Sequence, residues 1–330
     1  MWEAYLFQGS SWENSMRPHA RHILRSQQFE RGFLEQLFRS TDGFRRVFAD
    51  AEGRKRLNGH FAGRLLFSVF YEESTRTRFS FEAAAGHLGM RVVSTENARA
   101  FFSVAKGETL EDTIRVLCRY HPDVIVLRHN EVGGAERAAL VSPVPIINAG
   151  DGGGQHPTQA LIDIYTIMRE RGQVDGLTVV IGGDLAYGRT VRSLAYLLTK
   201  FKGVGIVFVA PPELRIGEDI KSYLLERHVQ FREETSLAQA LPLADVVYWT
   251  RLQKERMPAE TYAAAKGRYV IGPVELQHMK PNAVILHPLP RAGEIAAEVD
   301  SDPRAAYFRQ AGNGLFLRMA LLDWVLREPR

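Results

Sequence analysis

The 330-residue sequence contains one cysteine, Cys118. A single thiol excludes an intrachain disulfide framework and a thiolate metal cluster, because both need several cysteines. No apolar run reaches the roughly 20 residues that a membrane-spanning helix needs. Long lysine or arginine runs are absent and the net charge is only +4, so the composition argues against membrane and nucleic-acid partners.

Residues 1–15 lack the charged start and apolar core of a secretory signal peptide. We interpret them as a tail or a cloning remnant, and we expect the fold to begin near Met16. One cysteine and no secretory signal fit a reducing compartment. We therefore predict a cytoplasmic location.

The rest of the composition is typical of a globular α/β protein. Hydrophobic residues make up 45% and charged residues 24%, and short buried-type strands alternate with helical patterns. The length exceeds the roughly 250–300 residues at which single cores stop growing. We predict two doubly wound parallel-sheet domains joined by helices, with the C-terminal helix packing back on the first domain. The predicted limits are residues 16–157 plus 306–330 for the first domain, 158–171 for an interdomain helix and 172–305 for the second domain.

The most informative stretch is Ser-Thr-Arg-Thr-Arg at residues 74–78, which follows a buried-type strand and opens a helical pattern. A helix start has unpaired N–H groups and partial positive charge, so it favours an anion. Ser74 or Thr75 can cap this helix, and Arg76 and Arg78 can supply a fork that matches phosphate oxygens. The alternative is an ordinary capped helix with two solvated arginines.

Two more strand ends point to the same edge of the first sheet. Arg128 ends a buried-type strand, and another strand leads into His156, Pro157 and Gln159. Proline suits the first helical position, which places His156 at the cap and Gln159 in the first turn. A helix N-terminus disfavours imidazolium, so a neutral His156 could donate a hydrogen bond to a carbonyl. A structural capping histidine is the alternative.

The second half of the chain contributes further cations. Arg189, Arg251 and Gln253 follow strand ends there and would face the anion site across a cleft. Two guanidinium groups and an amide suit a substrate with carboxylates. Lys106 lies in a small-residue loop from which its charge can reach an anion, although a solvated loop lysine is equally consistent.

A dinucleotide site is a competing interpretation of the second half. The glycine turn at residues 182–184 follows a strand and precedes a helix, as in nucleotide-binding folds. The next strand, however, ends in Ala-Pro-Pro at residues 210–212, where a ribose-binding carboxylate is required. The dinucleotide interpretation is therefore disfavoured.

Taken together, these motifs resemble the aspartate carbamoyltransferase catalytic-chain family. The resemblance covers about residues 22–327 and includes the Pro288 and Arg251-x-Gln253 features that favour aspartate over ornithine as the amine. Seven motifs carry it, at residues 70–78, 106–109, 128–129, 156–159, 188–190, 250–256 and 287–291.

The resemblance implies that carbamoyl phosphate and L-aspartate give N-carbamoyl-L-aspartate and phosphate, early in de novo pyrimidine biosynthesis. The residues implied to bind carbamoyl phosphate are Ser74, Thr75, Arg76, Thr77, Arg128, His156, Gln159, Pro288 and Leu289. Those implied to bind aspartate are Lys106, Arg189, Thr190, Arg251 and Gln253. Those implied in the catalytic step are Arg76, Thr77, Lys106, Arg128 and His156.

The resemblance also implies an assembly and a conformational change. Family members form homotrimers with shared active sites, in which the equivalent of Lys106 comes from the neighbouring chain. Glu72 is implied to pair with Arg189 and Arg256 when the two domains close. Neither a metal nor an organic cofactor is implied, and whether a regulatory chain or another pathway enzyme binds is left open.

Two positions depart from the family pattern. Phe102 stands where the family usually has serine, so one phosphate contact is expected to be missing. Gly293 replaces a usual acidic residue, which is expected to loosen its loop. These departures leave two alternatives, a degenerate carbamoyl-phosphate-binding paralogue with a regulatory role and a carbamoyltransferase that acts on another amine.

Overall fold

The computed structural model of the protein describes residues 20–98 and 107–327. The predictions for Lys106, Phe102 and residues 1–15 lie outside these ranges. No helix within the ranges is long and apolar enough to cross a bilayer.

The first half of the chain forms a four-stranded parallel sheet in the order β2-β1-β3-β4. Its strands are β1 (Leu65–Phe70), β2 (Arg91–Thr95), β3 (Val124–His129) and β4 (Ile146–Asp151). Strands β1, β3 and β4 are almost wholly buried, whereas β2, at one edge of the sheet, is largely exposed. Burial on both faces explains why β1 and β3 consist largely of apolar residues.

Helices cover this sheet and lead out of it. They are α1 (Arg31–Phe48), α2 (Ala51–Leu57), α3 (Thr75–His87), α4 (Leu110–Cys118), α5 (Gly134–Val141) and α6 (Pro157–Arg171). Thr109 caps α4 by accepting a hydrogen bond from the Asp112 N–H. Cys118 ends the same helix half-buried, with Sγ 3.6 Å from Ser142 Oγ. Burial raises the pKa of its thiol, which favours a packing role over a nucleophilic one.

The second half forms a five-stranded parallel sheet in the order β7-β6-β5-β8-β9. Its strands are β5 (Thr178–Gly182), β6 (Gly205–Val209), β7 (Gln230–Glu234), β8 (Val246–Trp249) and β9 (Val284–Leu286). Its helices are α7 (Arg189–Leu198), α8 (Glu218–Glu226), α9 (Leu237–Ala240), α10 (Ala259–Ala265) and α11 (Pro273–His278).

Two helices connect the halves. Helix α6 contacts β4 on one side and β9 and α7 on the other, and α12 (Tyr307–Leu326) packs on α1, α3 and α6. Helix α12 is continuous through the Gly-Asn-Gly stretch at residues 312–314, where Asn313 donates to Thr166 Oγ1 at 2.9 Å. The two parallel sheets and the returning C-terminal helix confirm the predicted fold class. The predicted domain limits stay a prediction.

Candidate active site

A cleft of about 840 Å³ lies between the carboxyl ends of the two sheets. Ligands of open α/β sheets bind at this edge. The cleft brings together the expected substrate-binding residues that fall within the described ranges, from both halves of the chain. These are Ser74, Thr75, Arg76, Thr77, Arg128, His156, Gln159, Arg189, Thr190, Arg251, Gln253, Pro288 and Leu289.

The start of α3 is open to an anion. Helix α3 begins at Thr75, and Ser74 occupies the N-cap position without a side-chain hydrogen bond to the first turn. The expectation that the Ser74 or Thr75 hydroxyl caps this helix is therefore wrong. Among residues 20–98 and 107–327, no side chain or loop carbonyl accepts from the first-turn N–H groups, which leaves them to bind oxygens in the cleft.

The two arginines of this motif point to different partners. Arg76 lines the cleft, whereas Arg78 pairs through Nη2 with Glu96 Oε2 at 3.1 Å and does not line it. Of the two arginines expected to supply a phosphate fork, only Arg76 lines the cleft. Partial burial and the positive charge of Arg251 opposite lower the pKa of Arg76.

Three buried side chains that contact one another form the floor of the cleft. Arg128, Thr77 and His156 are 8%, 6% and 4% exposed. Arg128 Nη2 donates to Thr77 Oγ1 at 3.0 Å and lies 3.3 Å from His156 Nε2, while its Nε donates to the Ala149 carbonyl at 2.9 Å. Because both sides of the guanidinium are held, its position is fixed before a ligand binds.

His156 is held as neutral imidazole. Burial and the charges of Arg128 and Arg189 keep its pKa well below the ordinary value. Nε2 lies 3.3 Å from Arg128 Nη2 and 3.2 Å from Thr77 Oγ1, and Nδ1 lies 3.4 Å from Thr158 Oγ1. A threonine hydroxyl can donate or accept, so Thr158 also supports the tautomer that carries its proton on Nε2.

Glu72 links the two halves of the chain beside the cleft. Glu72 Oε2 lies 3.2 Å from Arg189 Nη1, and Oε1 lies 3.4 Å from Arg256 Nη2. Arg189 also donates to the Gly152 carbonyl at 2.9 Å. The structure thus contains the Glu72 pairs that the family resemblance implies. One carboxylate faces two guanidinium groups, which leaves positive charge for an anionic substrate.

Arg251 has a partner that the sequence interpretation missed. Its guanidinium pairs with both oxygens of Glu255, with Nη1 3.0 Å from Oε2. This contact raises the pKa of Arg251. Residues 251–256 form a loop and a turn rather than a helix, so the four-residue spacing alone did not predict this pair. A substrate carboxylate at Arg251 must share the guanidinium with Glu255.

The loop that follows β9 is tied down by a histidine. His287 Nδ1 accepts from the Leu289 N–H at 2.8 Å, and Nε2 bonds Glu294 Oε1 at 2.7 Å. Glu294 also accepts from the Ala292 N–H at 3.0 Å. Gly293 has a φ of 105°, a conformation that favours glycine. The loosening expected at Gly293 is therefore countered by the adjacent Glu294.

The glycine turn after β5 has a packing role. A side chain at Gly182 would overlap the Trp249 ring, and one at Gly183 would overlap the Thr250 carbonyl. Asp184 accepts from the backbone N–H groups of Tyr187 and Gln253, at 2.9 Å and 3.0 Å. These contacts account for the glycines without a nucleotide.

Both halves of the chain match models of one known family. Residues 21–169 match the carbamoyl-P binding domain of the aspartate/ornithine carbamoyltransferases. Residues 175–325 match the Asp/Orn binding domain of the same family. The chain belongs to the aspartate/ornithine carbamoyltransferase family. This confirms the resemblance that the motifs indicated.

Individual relatives of this carbamoyltransferase agree on the substrate. This chain is 50% identical over 306 residues to aspartate carbamoyltransferase 1 of Pisum sativum. The match covers 92% of this chain and 78% of the pea protein. The chain is 51% identical over 310 residues to the enzyme of Oryza sativa, covering 92% and 84%. Aspartate transcarbamoylase from Trypanosoma cruzi, in complex with carbamoyl phosphate and aspartate, superposes with a TM-score of 0.86 at 38% identity, covering 93% and 97%.

The carbamoyltransferase therefore transfers the carbamoyl group of carbamoyl phosphate to L-aspartate, in pyrimidine biosynthesis. The predicted cytoplasmic location is wrong by the same comparison. The pea and rice relatives are chloroplastic enzymes, which points to the plastid.

Proposed function

We propose that the first-sheet side of the cleft binds carbamoyl phosphate through its phosphate. The N–H groups at the start of α3, the hydroxyls of Ser74, Thr75 and Thr77, and the guanidinium groups of Arg76 and Arg128 hold the phosphate oxygens. The open helix start and the lining position of Arg76 support this assignment.

Thr77, Arg128 and His156 polarise the carbonyl oxygen of carbamoyl phosphate. As the aspartate amine forms its bond to the carbonyl carbon, negative charge develops on this oxygen, and the bond to phosphate then breaks. Donors fixed in a buried site stabilise that charge without reorganising. The single observation that carries this proposal is the buried contact of Arg128 with both Thr77 and His156.

Three acceptors hold the carbamoyl amide group at the far end of the cleft. They are the side-chain oxygen of Gln159 and the backbone carbonyls of Pro288 and Leu289. No donor among the described residues is bonded to either carbonyl. A carbamoyl NH₂ group supplies the donors that these acceptors need.

The second-sheet side binds aspartate. Arg189, Thr190, Arg251 and Gln253 hold its two carboxylates, and Lys106 of a neighbouring chain completes the site. The lining positions of the four described residues support this assignment. Arginine is suited to carboxylates because its planar fork can form two parallel hydrogen bonds.

Arg251→Ala tests the division of the cleft. We expect the KM for aspartate to rise about 10- to 100-fold, since a charge-assisted hydrogen bond contributes about 1.5–3 kcal/mol. Affinity for carbamoyl phosphate should change less than about threefold, because its phosphate lies on the other side. Initial rates of carbamoyl-aspartate formation at varied concentrations of each substrate measure both effects.

Lys254→Ala is the matched control for Arg251→Ala. Lys254 is a cation of the same loop, but it lies beside the Tyr262 ring and does not line the cleft. We expect its KM for aspartate to stay near that of the unmodified protein. Equal effects of Arg251→Ala on both substrates would contradict the division of the cleft.

Glu72 stabilises the closed arrangement of the two halves. Glu72→Gln removes the charge that faces Arg189 and Arg256, so we expect the KM for aspartate to rise about 10-fold. Scattering at saturating bisubstrate analogue should show a larger radius of gyration than in the unmodified protein. Glu260→Gln removes the same charge from an exposed residue that does not line the cleft, where the described residues supply no ion pair, and should change neither quantity. A normal KM for Glu72→Gln would refute this role.

The protein acts as a homotrimer with shared active sites. Large apolar side chains are exposed on the first-sheet half at Phe79, Val93, Val116, Val132 and Leu140. A subunit boundary that covers this half would account for them. The same boundary would let Lys106 enter the cleft of the neighbouring chain.

A further inference from the structure

A buried carboxylate lies directly behind the proposed carbamoyl end of the cleft. Asp163, in α6, has no solvent exposure, and Gln310, in α12, is 1% exposed. Asp163 Oδ1 accepts from Gln159 Nε2 at 2.7 Å and from Gln310 Nε2 at 2.6 Å. One oxygen atom thus holds two amide groups that come from different helices.

This contact fixes which way each amide faces. A carboxylate accepts hydrogen bonds, so both glutamines must present their NH₂ groups to Asp163. The amide oxygens then point the other way. Gln310 Oε1 accepts from the His287 N–H at 2.9 Å, which holds the start of the loop that carries Pro288 and Leu289.

The amide oxygen of the other glutamine, Gln159 Oε1, is left for a ligand in the cleft. Gln159 lines the cleft, and no donor among the described residues is bonded to its Oε1. Without Asp163 the Gln159 amide could rotate by half a turn and present NH₂ to the cleft. An NH₂ group cannot accept a hydrogen bond from the carbamoyl amide.

We propose that Asp163 is a positioning residue that makes the site select a carbamoyl donor over an acetyl donor. Carbamoyl phosphate and acetyl phosphate differ by NH₂ against CH₃ beside the same carbonyl. Asp163 keeps Gln159 as an acceptor and, through Gln310, holds the Pro288 and Leu289 carbonyls in place. Only the NH₂ group can satisfy these acceptors, and a methyl group leaves them unpaired. This inference rests on the proposed role of Gln159.

The protonation state of Asp163 does not change the argument. Burial raises the pKa of Asp163 to about 7. A carboxyl group that is protonated on Oδ2 still accepts at Oδ1. The orientation of both amides is therefore the same on either side of this pKa.

The test compares the two phosphates in Asp163 variants of the full-length protein. The discrimination ratio is the inhibition constant of acetyl phosphate, measured against carbamoyl phosphate, divided by the KM for carbamoyl phosphate. Asp163→Leu removes the acceptor, so we expect this ratio to fall at least about 10-fold, mainly through weaker carbamoyl phosphate binding. Asp163→Asn keeps one oxygen that can accept from both amides, so its ratio should stay within about threefold.

Two outcomes with the Asp163 variants would overturn the proposal. A normal ratio in Asp163→Leu shows that the amides do not need this acceptor. A loss in Asp163→Asn as large as in Asp163→Leu shows that the charge, rather than the acceptor, matters. If Asp163→Leu does not fold, Asp163→Ser replaces it, because a hydroxyl can donate or accept and so does not fix an amide. Its ratio should also fall.

Thr166→Val is the matched control. Thr166 lies one turn further along α6, where its hydroxyl joins the same pair of helices by accepting from Asn313 at 2.9 Å. This variant should lower the thermal unfolding temperature and leave the discrimination ratio unchanged. A changed ratio would mean that loosening the helix pair is enough, and it would overturn the specific role of Asp163.

Gln159→Leu separates this inference from the proposed function. If Gln159→Leu leaves the ratio unchanged, the assignment of Gln159 to the carbamoyl amide fails, and the inference fails with it. If Gln159→Leu lowers the ratio and Asp163→Leu does not, the inference about Asp163 alone fails.

Discussion

Replacing Arg76 by alanine is expected to lower kcat/KM for carbamoyl phosphate about 100- to 1,000-fold. Arg76 is the arginine of the α3 motif that lines the cleft, and fixed donors that meet developing or bound charge contribute on this scale. The phosphate should lose its fork while the helix N–H groups remain. Carbamoyl-aspartate formation at varied carbamoyl phosphate, together with calorimetric titration of inorganic phosphate, measures the loss.

Arg78→Ala is the control that the chain itself offers. Arg78 has the same side chain two residues further along the same helix, but it pairs with Glu96 outside the cleft. Exposed or partly exposed pairs of this kind contribute about 0–1 kcal/mol. We expect only a few-fold change in kcat/KM. Similar losses for both variants would mean that the motif acts through the fold of α3 and not through the Arg76 side chain.

Mixed trimers of Lys106→Ala and Arg76→Ala chains should recover activity that neither variant has alone. If Lys106 enters the neighbouring chain's cleft, some sites in a mixed trimer contain intact Arg76 from one chain and intact Lys106 from the next. Random assembly in equal amounts leaves about one quarter of the sites intact. Activity should therefore reach about one quarter of that of the unmodified protein after separation and reassembly of the chains.

The control mixture combines Arg76→Ala with Arg128→Ala. Both residues line the same cleft of one chain, so no mixed trimer of these variants contains an intact site and no recovery is expected. Native mass spectrometry confirms that mixed trimers have formed in both experiments. Mixed trimers of the Lys106 and Arg76 variants without recovered activity would refute the shared site.

Much of the fold followed from local patterns, and so did the start of the helix that carries His156 at its N-cap. Strands β1 and β3 consist largely of apolar residues because both of their faces are buried. Pro157 begins α6 and leaves His156 at its N-cap, as predicted. These features depend on neighbours in the sequence or on burial alone, so a single sequence can indicate them.

Other features depended on partners that are distant along the chain. Arg78 was expected at the phosphate, but it forms an ion pair with Glu96 instead. The carboxylate that orients Gln159 is on the same helix, yet its second amide comes from Gln310, 147 residues further on. No local pattern states which of several nearby groups a side chain will meet.

For the opening motif at residues 74–78, the sequence by itself determined the strand, the helix start and the hydroxyl and guanidinium groups that suit phosphate. Periodicity and helix-end chemistry are short-range effects, so these inferences needed no coordinates. Only the tertiary structure decided that Ser74 leaves the helix start uncapped and that Arg76 alone of the two arginines faces the cleft. Packing two sheets around a shared cleft sets those contacts, and that packing is a property of the whole chain.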